Sequence, residues 1–181
     1  MKILFASDIH GRLERAERLA QLIAEENPER ILLLGDYLYN GPRNGVPEDY
    51  DPMQVSLILN RFADKIIGVR GNCDSRIDDE LLHFPLADNR RFVLDGLEFD
   101  LYHGDPFSLK GLAPHPGAVL VSGHTHLYVL KKENGFIFLN PGSISFPKGG
   151  NPATYGLFSD KIFEIRRFAD GGVLASLKID D

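Results

Sequence analysis

Three short apolar runs most restrict what this chain can become: Lys2-Ile3-Leu4-Phe5-Ala6, Ile31-Leu32-Leu33-Leu34 and Ile66-Ile67-Gly68-Val69. Each is too short for a helix and reads as a buried strand feeding a loop. Between the first two, Leu13, Ala16, Leu19, Ala20 and Ile23 recur at helical spacing until Asn27-Pro28 stops the helix. Between the second and third, Asp51-Pro52-Met53-Gln54 reads as a helix start, with Asp51 as cap and Pro52 in the first turn, and Val55, Ile58, Leu59 and Phe62 supply the apolar face. Each strand empties into polar residues: Ser7-Asp8-Ile9-His10-Gly11, Gly35-Asp36 and Arg70-Gly71-Asn72-Cys73-Asp74. Ser75 with Asp78 then predicts the cap of a short helix through Leu82.

From about residue 90 the pattern changes to hairpins. Arg91 to Leu94 and Leu97 to Tyr102 flank the turn Asp95-Gly96, and the second arm ends at His103-Gly104-Asp105. The apolar run Gly117 to Val121 ends at Ser122-Gly123-His124-Thr125-His126. Residues 127 to 132 and 136 to 139 predict a hairpin around Asn134-Gly135, followed by Asn140-Pro141-Gly142-Ser143. Tyr155 to Ser159, Lys161 to Ala169 and Val173 to Ile179 complete an antiparallel meander. A β-α-β-α-β first half and a hairpin-rich second half predict an α/β (α+β mixed) fold of two packed sheets with helices outside. Strand ends of both halves then meet at one rim, which collects Asp8, His10, Asp36, Asn72, His103, His124 and His126.

A chain of 181 residues that is 43% hydrophobic suffices for one domain, 1–181, with a sizeable core. The net charge of −6 argues against a broad nucleic-acid surface, although a local cationic site for phosphate stays compatible with it. One cysteine, Cys73, excludes an internal disulfide framework. Met1-Lys2 leads straight into a strand without a signal-peptide pattern, and no apolar run approaches the ~20 residues that span a bilayer, so a cytoplasmic location without a membrane partner is expected.

The seven rim residues form a mixed oxygen and nitrogen set of the kind that hosts first-row divalent metals, not a thiolate zinc site or an all-oxygen calcium site. If one carboxylate bridges, they supply two four-ligand half-sites with room for a bridging hydroxide and substrate oxygens. Two dications then outweigh Asp8, Asp36 and a hydroxide by one positive charge, which attracts a phosphate anion. Metals ~3.5–4 Å apart acidify the water, orient the ester and stabilise charge on its oxygens, so no nucleophilic side chain is required. Neutral Asn72 ligates without cancelling that charge.

The ordered segments Asp8-x-His10, Gly35-Asp36, Gly71-Asn72-x-Asp74, His103-Gly104 and Gly123-His124-x-His126 resemble the signature of the calcineurin-like metallophosphoesterases. With the Gly-Asn-Cys-Asp and Asn-Pro-Gly-Ser segments, and from Phe5 through Tyr155, the chain looks like the compact bacterial and archaeal phosphodiesterases that use manganese. The resemblance implies a four-layer αββα sandwich of two mixed β-sheets flanked by helices. It also implies one metal held by Asp8, His10, Asp36 and His126, a second by Asp36, Asn72, His103 and His124, and Asp36 as the bridge. Two Mn2+ ions are expected, with Fe, Co, Ni or Zn acceptable to the same ligands.

Two departures bear on activity. Relatives strong in monoester cleavage carry His where this chain has Cys73, and a thiol is the poorer proton donor to a departing oxygen. Asp105 stands where relatives often carry a second His. Arg43 and Arg70 lie near motif segments and within reach of a phosphate, with solvated or paired arginine as the equal alternative. His83 and His115 read as surface or loop residues.

The expected function is therefore a dinuclear metal-dependent phosphodiesterase acting on small diesters, activated aryl diesters included, with a metal-bridging hydroxide as nucleophile. The alternatives are a phosphomonoesterase or nucleotide pyrophosphatase on the same site, and a non-catalytic scaffold such as the small retromer subunit that resembles this family. Substrate selection is expected in the rim loops at 37–50 and 105–116. The C-terminal meander offers an edge for pairing into a homo-oligomer.

Overall fold

The computed structural model describes residues 1–106 and 113–179. The first half runs β1 (Ile3–Ala6), α1 (Leu13–Glu26), β2 (Arg30–Leu33), α2 (Pro52–Asn60), β3 (Ile66–Val69) and α3 (Asp78–Leu81). There follow β4 (Leu86–Ala87), β5 (Asn89–Leu94), β6 (Leu97–Tyr102), β7 (Val119–Val121), β8 (Tyr128–Glu133) and β9 (Phe136–Pro141). The chain closes with β10 (Thr154–Ser159), β11 (Ile162–Arg167) and β12 (Val173–Lys178). Part of the rim loop expected at 105–116, residues 107–112, lies outside the described residues.

Two mixed sheets result, as the sequence predicts. The first has seven strands in the order β12-β11-β10-β1-β2-β3-β4, with β1 to β4 parallel and β10 antiparallel to β1. The second has five, β5-β6-β7-β9-β8, joining two antiparallel hairpins through parallel β6–β7 and β7–β9 pairs. The boundary between sheets does not follow the boundary between halves. The C-terminal meander turns away from the neighbouring hairpins and adds β10 to the free edge of β1, with Leu4 opposite Leu157 and Phe5 opposite Gly156. Gly156 leaves the space for Phe5, whose Cβ would lie 3.1 Å from a Cβ added there. β4 is a two-residue strand with no readable period, held parallel to β3 at Gly68 and Val69.

The unbroken apolar runs are explained by burial on both faces. Alternate side chains point to opposite sides of a strand. Ile3 and Phe5 of β1 therefore enter a core between the sheets with Phe99, Val119, Ile137, Phe158 and Phe163. Leu4 and Ala6 face the helices, against Leu19, Leu22, Ile23, Val55 and Leu59. The described helices lie on that outer face of the seven-stranded sheet. None of them is long and apolar enough to cross a membrane.

Caps fix the helix positions. Asp51 accepts from the Gln54 amide at 3.0 Å, as expected. Arg12, at the start of α1, caps nothing with its side chain. Instead Asp49 of the rim loop accepts from the amides of Glu14 (3.2 Å) and, through its carbonyl, Leu13 (2.9 Å). Asp78 accepts from the amide and hydroxyl of Ser75 at 2.8 and 3.2 Å, but the helix itself is shorter than predicted, with Ser75 to Ile77 forming a turn before it.

Candidate metal centre

The site lies where strands of both sheets end. Five of its residues leave their strands with left-handed backbones: Asp8 (φ 59°), His10 (53°), Asp36 (58°), His124 (64°) and His126 (60°). Such a conformation costs a non-glycine residue about 1 kcal/mol or more and persists only where surrounding structure enforces it. The enforcement is visible. Asp8 and His10 donate from their amides to the carbonyls of Gly35 (3.1 Å) and Asp36 (2.9 Å), lacing the first loop to the second. The amides of Asp36, Tyr37 and Gly71 all donate to the Asp74 carboxylate at 2.7–2.8 Å, lacing the second to the third.

Ligand atoms converge accordingly. One atom each from Asp8, His10 and His126 lie within 4.8 Å of one another, and so do atoms of Asp8, Asp36 and His103. Asp36 Oδ2 stands between the groups, 3.6 Å from His10 Nε2 and 3.5 Å from His103 Nε2. Its Oδ1 accepts from the Cys73 amide at 2.9 Å, which fixes the carboxylate plane. Asn72 Oδ1 lies 3.1 Å from His103 Nε2, and the His124 ring meets that of His103 edge-on at 5.0 Å. All seven residues singled out in the sequence are thus brought to one rim.

The histidine tautomers are set by backbone carbonyls. Nδ1 of His10 donates to the Tyr39 carbonyl (2.9 Å), Nδ1 of His103 to Leu34 (2.5 Å) and Nδ1 of His126 to Phe146 (2.7 Å). A carbonyl only accepts, so these nitrogens carry protons and each Nε2 is left to offer a lone pair to the centre. His10 Nε2 and His126 Nε2 face each other at 3.4 Å. Both carboxylate oxygens of Asp8 are buried without a hydrogen-bond donor. A buried carboxylate without a partner costs several kcal/mol. A cation among these atoms supplies the missing partner to all of them, so the donor set fits divalent metal.

The electrostatics favour positive charge in the same place. Burial alone would raise the Asp36 pKa, but the hydrogen bond from His103 and the charges of His103 and His10 outweigh it and bring it to about 2. Burial would lower that of His103, yet its hydrogen bond and attraction to Asp36 raise it to about 9. Without metal, a proton on His103 therefore takes the cation's role beside Asp36. His124 is held below the ordinary histidine value by burial and by His103. Without metal, burial and the Asp36 carboxylate push the Cys73 thiol up to about 12.

Two supporting residues carry no sequence signal for their role. Asp74 belongs to the quoted Gly-Asn-x-Asp segment, but only the fold shows it gathering three amides. Burial and neighbouring Asp36 raise its pKa to about 7, against the opposing pull of those donors. Asn140 stood only in a turn motif, yet its Nδ2 donates to the Gly123 carbonyl (2.7 Å) and Thr125 Oγ1 (3.2 Å), around His124. Its Oδ1 accepts from the Gly142 amide at 2.9 Å. Ser143 and Ser145 donate to the carbonyls of Asp8 (3.2 Å) and Ile9 (2.7 Å), seating that turn beneath the first loop. Asn140→Ala should lower metal affinity about 10- to 100-fold, the usual cost of removing a group that orients ligands. Calorimetric titration of the metal-free variant checks this, and wild-type affinity would refute it.

Arg70 is engaged elsewhere, donating to both Asp79 oxygens (2.7 and 2.8 Å) and to the Ser75 carbonyl (2.8 Å). His115 is exposed beside Glu98, and the His83 amide donates to Asn60, so neither belongs to the centre. Asp105 is buried, and its charge acts on His124 in the direction opposite to that of His103.

Two stacked mixed sheets whose strand ends present aspartates and metal-facing imidazoles are the arrangement of a metallophosphoesterase. Residues 1–161 match the calcineurin-like phosphoesterase superfamily domain, and the chain belongs to that superfamily. Phosphodiesterase YfcE of Escherichia coli strain K12 is 43% identical to this chain over 182 residues, covering 99% of each. A solved structure of YfcE, a phosphoesterase from E. coli, superposes with a TM-score of 0.93 at 42% identity, over 99% of this chain and 100% of that one. Vacuolar protein sorting 29 of Cryptosporidium parvum shares the fold, with a TM-score of 0.65 at 18% identity and 98% of each chain covered.

Proposed function

We propose that this chain is a phosphodiesterase that works with two divalent ions, manganese first among them. Asp8, His10, Asp36 and His126 would hold one ion, Asp36, Asn72, His103 and His124 the other. The observation that carries this reading is the set of Nε2 lone pairs turned toward buried Asp8 and Asp36, with both Asp8 oxygens left without a hydrogen-bond donor. The whole-length likeness to a protein named as a phosphodiesterase supports the substrate class. When bound, the ions supply an acidified water and Lewis-acid stabilisation of the phosphoryl oxygens.

The chain's own residues define the remaining chemistry. The Tyr39, Leu34 and Phe146 carbonyls keep the imidazoles in the ligating tautomer, and the Cys73 amide orients Asp36. Cys73 carries no cation and is a poorer proton donor than an imidazole, so it gives little help to a poor leaving group, which favours diesters with good leaving groups. Purified protein reconstituted with Mn2+ should hydrolyse bis(p-nitrophenyl) phosphate, stop on chelation and recover on adding metal back. Metal-independent turnover, or none with the fold intact, rejects the reading.

Phosphomonoesterase activity on the same site is the second reading, and Cys73 is the residue that weighs against it. Cys73→His should raise kcat/KM more for alkyl than for nitrophenyl leaving groups. An equal response to both would remove this account of the thiol. A scaffold role finds no support in a centre where every ligand position is filled.

A further inference from the structure

Arg43 and Lys148 reach the cavity over the metal centre from two separate loops. That cavity holds about 330 Å3, more than a scissile phosphate occupies, and beyond the metal-facing residues its wall consists of Gly41, Pro42, Arg43, Asn44, Cys73 and Lys148. Among the described residues neither the Arg43 guanidinium nor the Lys148 ammonium has a hydrogen bond or ion pair, in contrast to Arg70. Both cations are carried on fixed backbone. Asn44 Nδ2 donates to the Asn40 carbonyl at 2.7 Å and Asn40 Nδ2 to the Gly45 carbonyl, closing the loop that bears Arg43. The Lys148 amide donates to the His126 carbonyl at 3.1 Å.

Among the described residues Asp36 is the one acid on the cavity wall, and its Oδ2 faces His10 and His103. Both side chains are exposed, and with divalent ions bound their charges would stand beside a centre that is itself net positive, so an anion spanning them is favoured. A diester's single negative charge is already matched by the metal centre. The surplus of two positive charges at the rim matches a phosphate monoester group, which carries between one and two negative charges at neutral pH. Arg43 supplies a planar fork that suits phosphate, and Lys148 a point charge. We propose that Arg43 and Lys148 form a second anion subsite, so that the preferred substrate is a phosphodiester bearing a further phosphate group next to the scissile linkage. The proposal deepens the phosphodiesterase reading and rests on it.

The test compares kcat/KM of the manganese-loaded enzyme for the p-nitrophenyl ester of thymidine 5′-phosphate with and without a 3′-phosphate. Wild type should prefer the 3′-phosphorylated ester by about tenfold or more, the worth of a charge-assisted contact. The double variant Arg43→Gln/Lys148→Gln should bring that ratio to about one, chiefly through KM, and Arg43→Lys alone should give an intermediate ratio. A wild-type ratio near one, or a ratio that survives the double substitution, overturns the subsite. If wild type turns over neither ester in a metal-dependent way, the phosphodiesterase reading itself fails and the subsite with it.

Discussion

Asp36→Ala should lower diester hydrolysis by on the order of 10³-fold or more and abolish binding of at least one metal ion. Among the described residues its side chain is the one group within 3.6 Å of ligand nitrogens on both sides of the centre, His10 and His103. Removing a group that merely orients a ligand costs 10- to 100-fold, and a bridging ligand contributes to both half-sites at once. The same substitution deprives His103 of the partner that raises its pKa to about 9, so its proton affinity falls toward that of an ordinary histidine. Metal content by elemental analysis and steady-state kinetics on the same preparation check the expectation. Two tightly bound ions with activity near wild type would remove Asp36 from the bridge.

Asp74→Ala should be the most destabilising single change near the site. It leaves the amides of Asp36, Tyr37 and Gly71 without their acceptor in a place closed to water. A buried unsatisfied donor costs ~1–3 kcal/mol, so allowing for some relaxation the loss is about 3–5 kcal/mol. In a chain of this size that lowers Tm by roughly 10–15 °C. Metal binding weakens as well, because the same amides hold the loop that carries Asp36. Asp74→Asn retains one acceptor oxygen and should lose less. Thermal denaturation of the metal-free forms separates the outcomes, and a Tm within about 2 °C of wild type for Asp74→Ala would show that the loops are held by something else.

The two variants probe different kinds of information. Asp36 could be read from the chain because its signal is local: an acid directly after Ile31-Leu32-Leu33-Leu34, one of several apolar runs that end the same way. Asp74 lies in a quoted segment, but nothing in the sequence distinguishes an acid that faces a metal from one that turns inward to collect amides. Asn140 was equally opaque, since a good turn motif explains its presence without reference to His124, some sixteen residues earlier in the chain. The same limit applied to the arginines. Arg43 and Arg70 look alike beside their motifs, and only the position of Asp79 removes Arg70 from the cavity.

Sheet assignment shows the limit at the level of the fold. Each strand of the C-terminal meander was legible from its own residues, but its sheet was not, because a strand pairs through backbone groups that every residue carries. The open edge of β1 and the space left by Gly156 settled the matter.

By itself, then, the sequence determined the order of strands and helices apart from two-residue β4, the unbroken burial of the central strands, and which seven side chains stand at strand ends, since all of these follow from periodicity and composition within a few residues. Only the tertiary structure decided that Nε2 of three histidines faces the centre, that Asp36 lies between two groups of ligands, and that Asp74 and Asn140 hold the loops in strained conformations. Those outcomes depend on hydrogen bonds between residues far apart in the chain, with tolerances of tenths of an ångström, and such distances exist only once the sheets have packed.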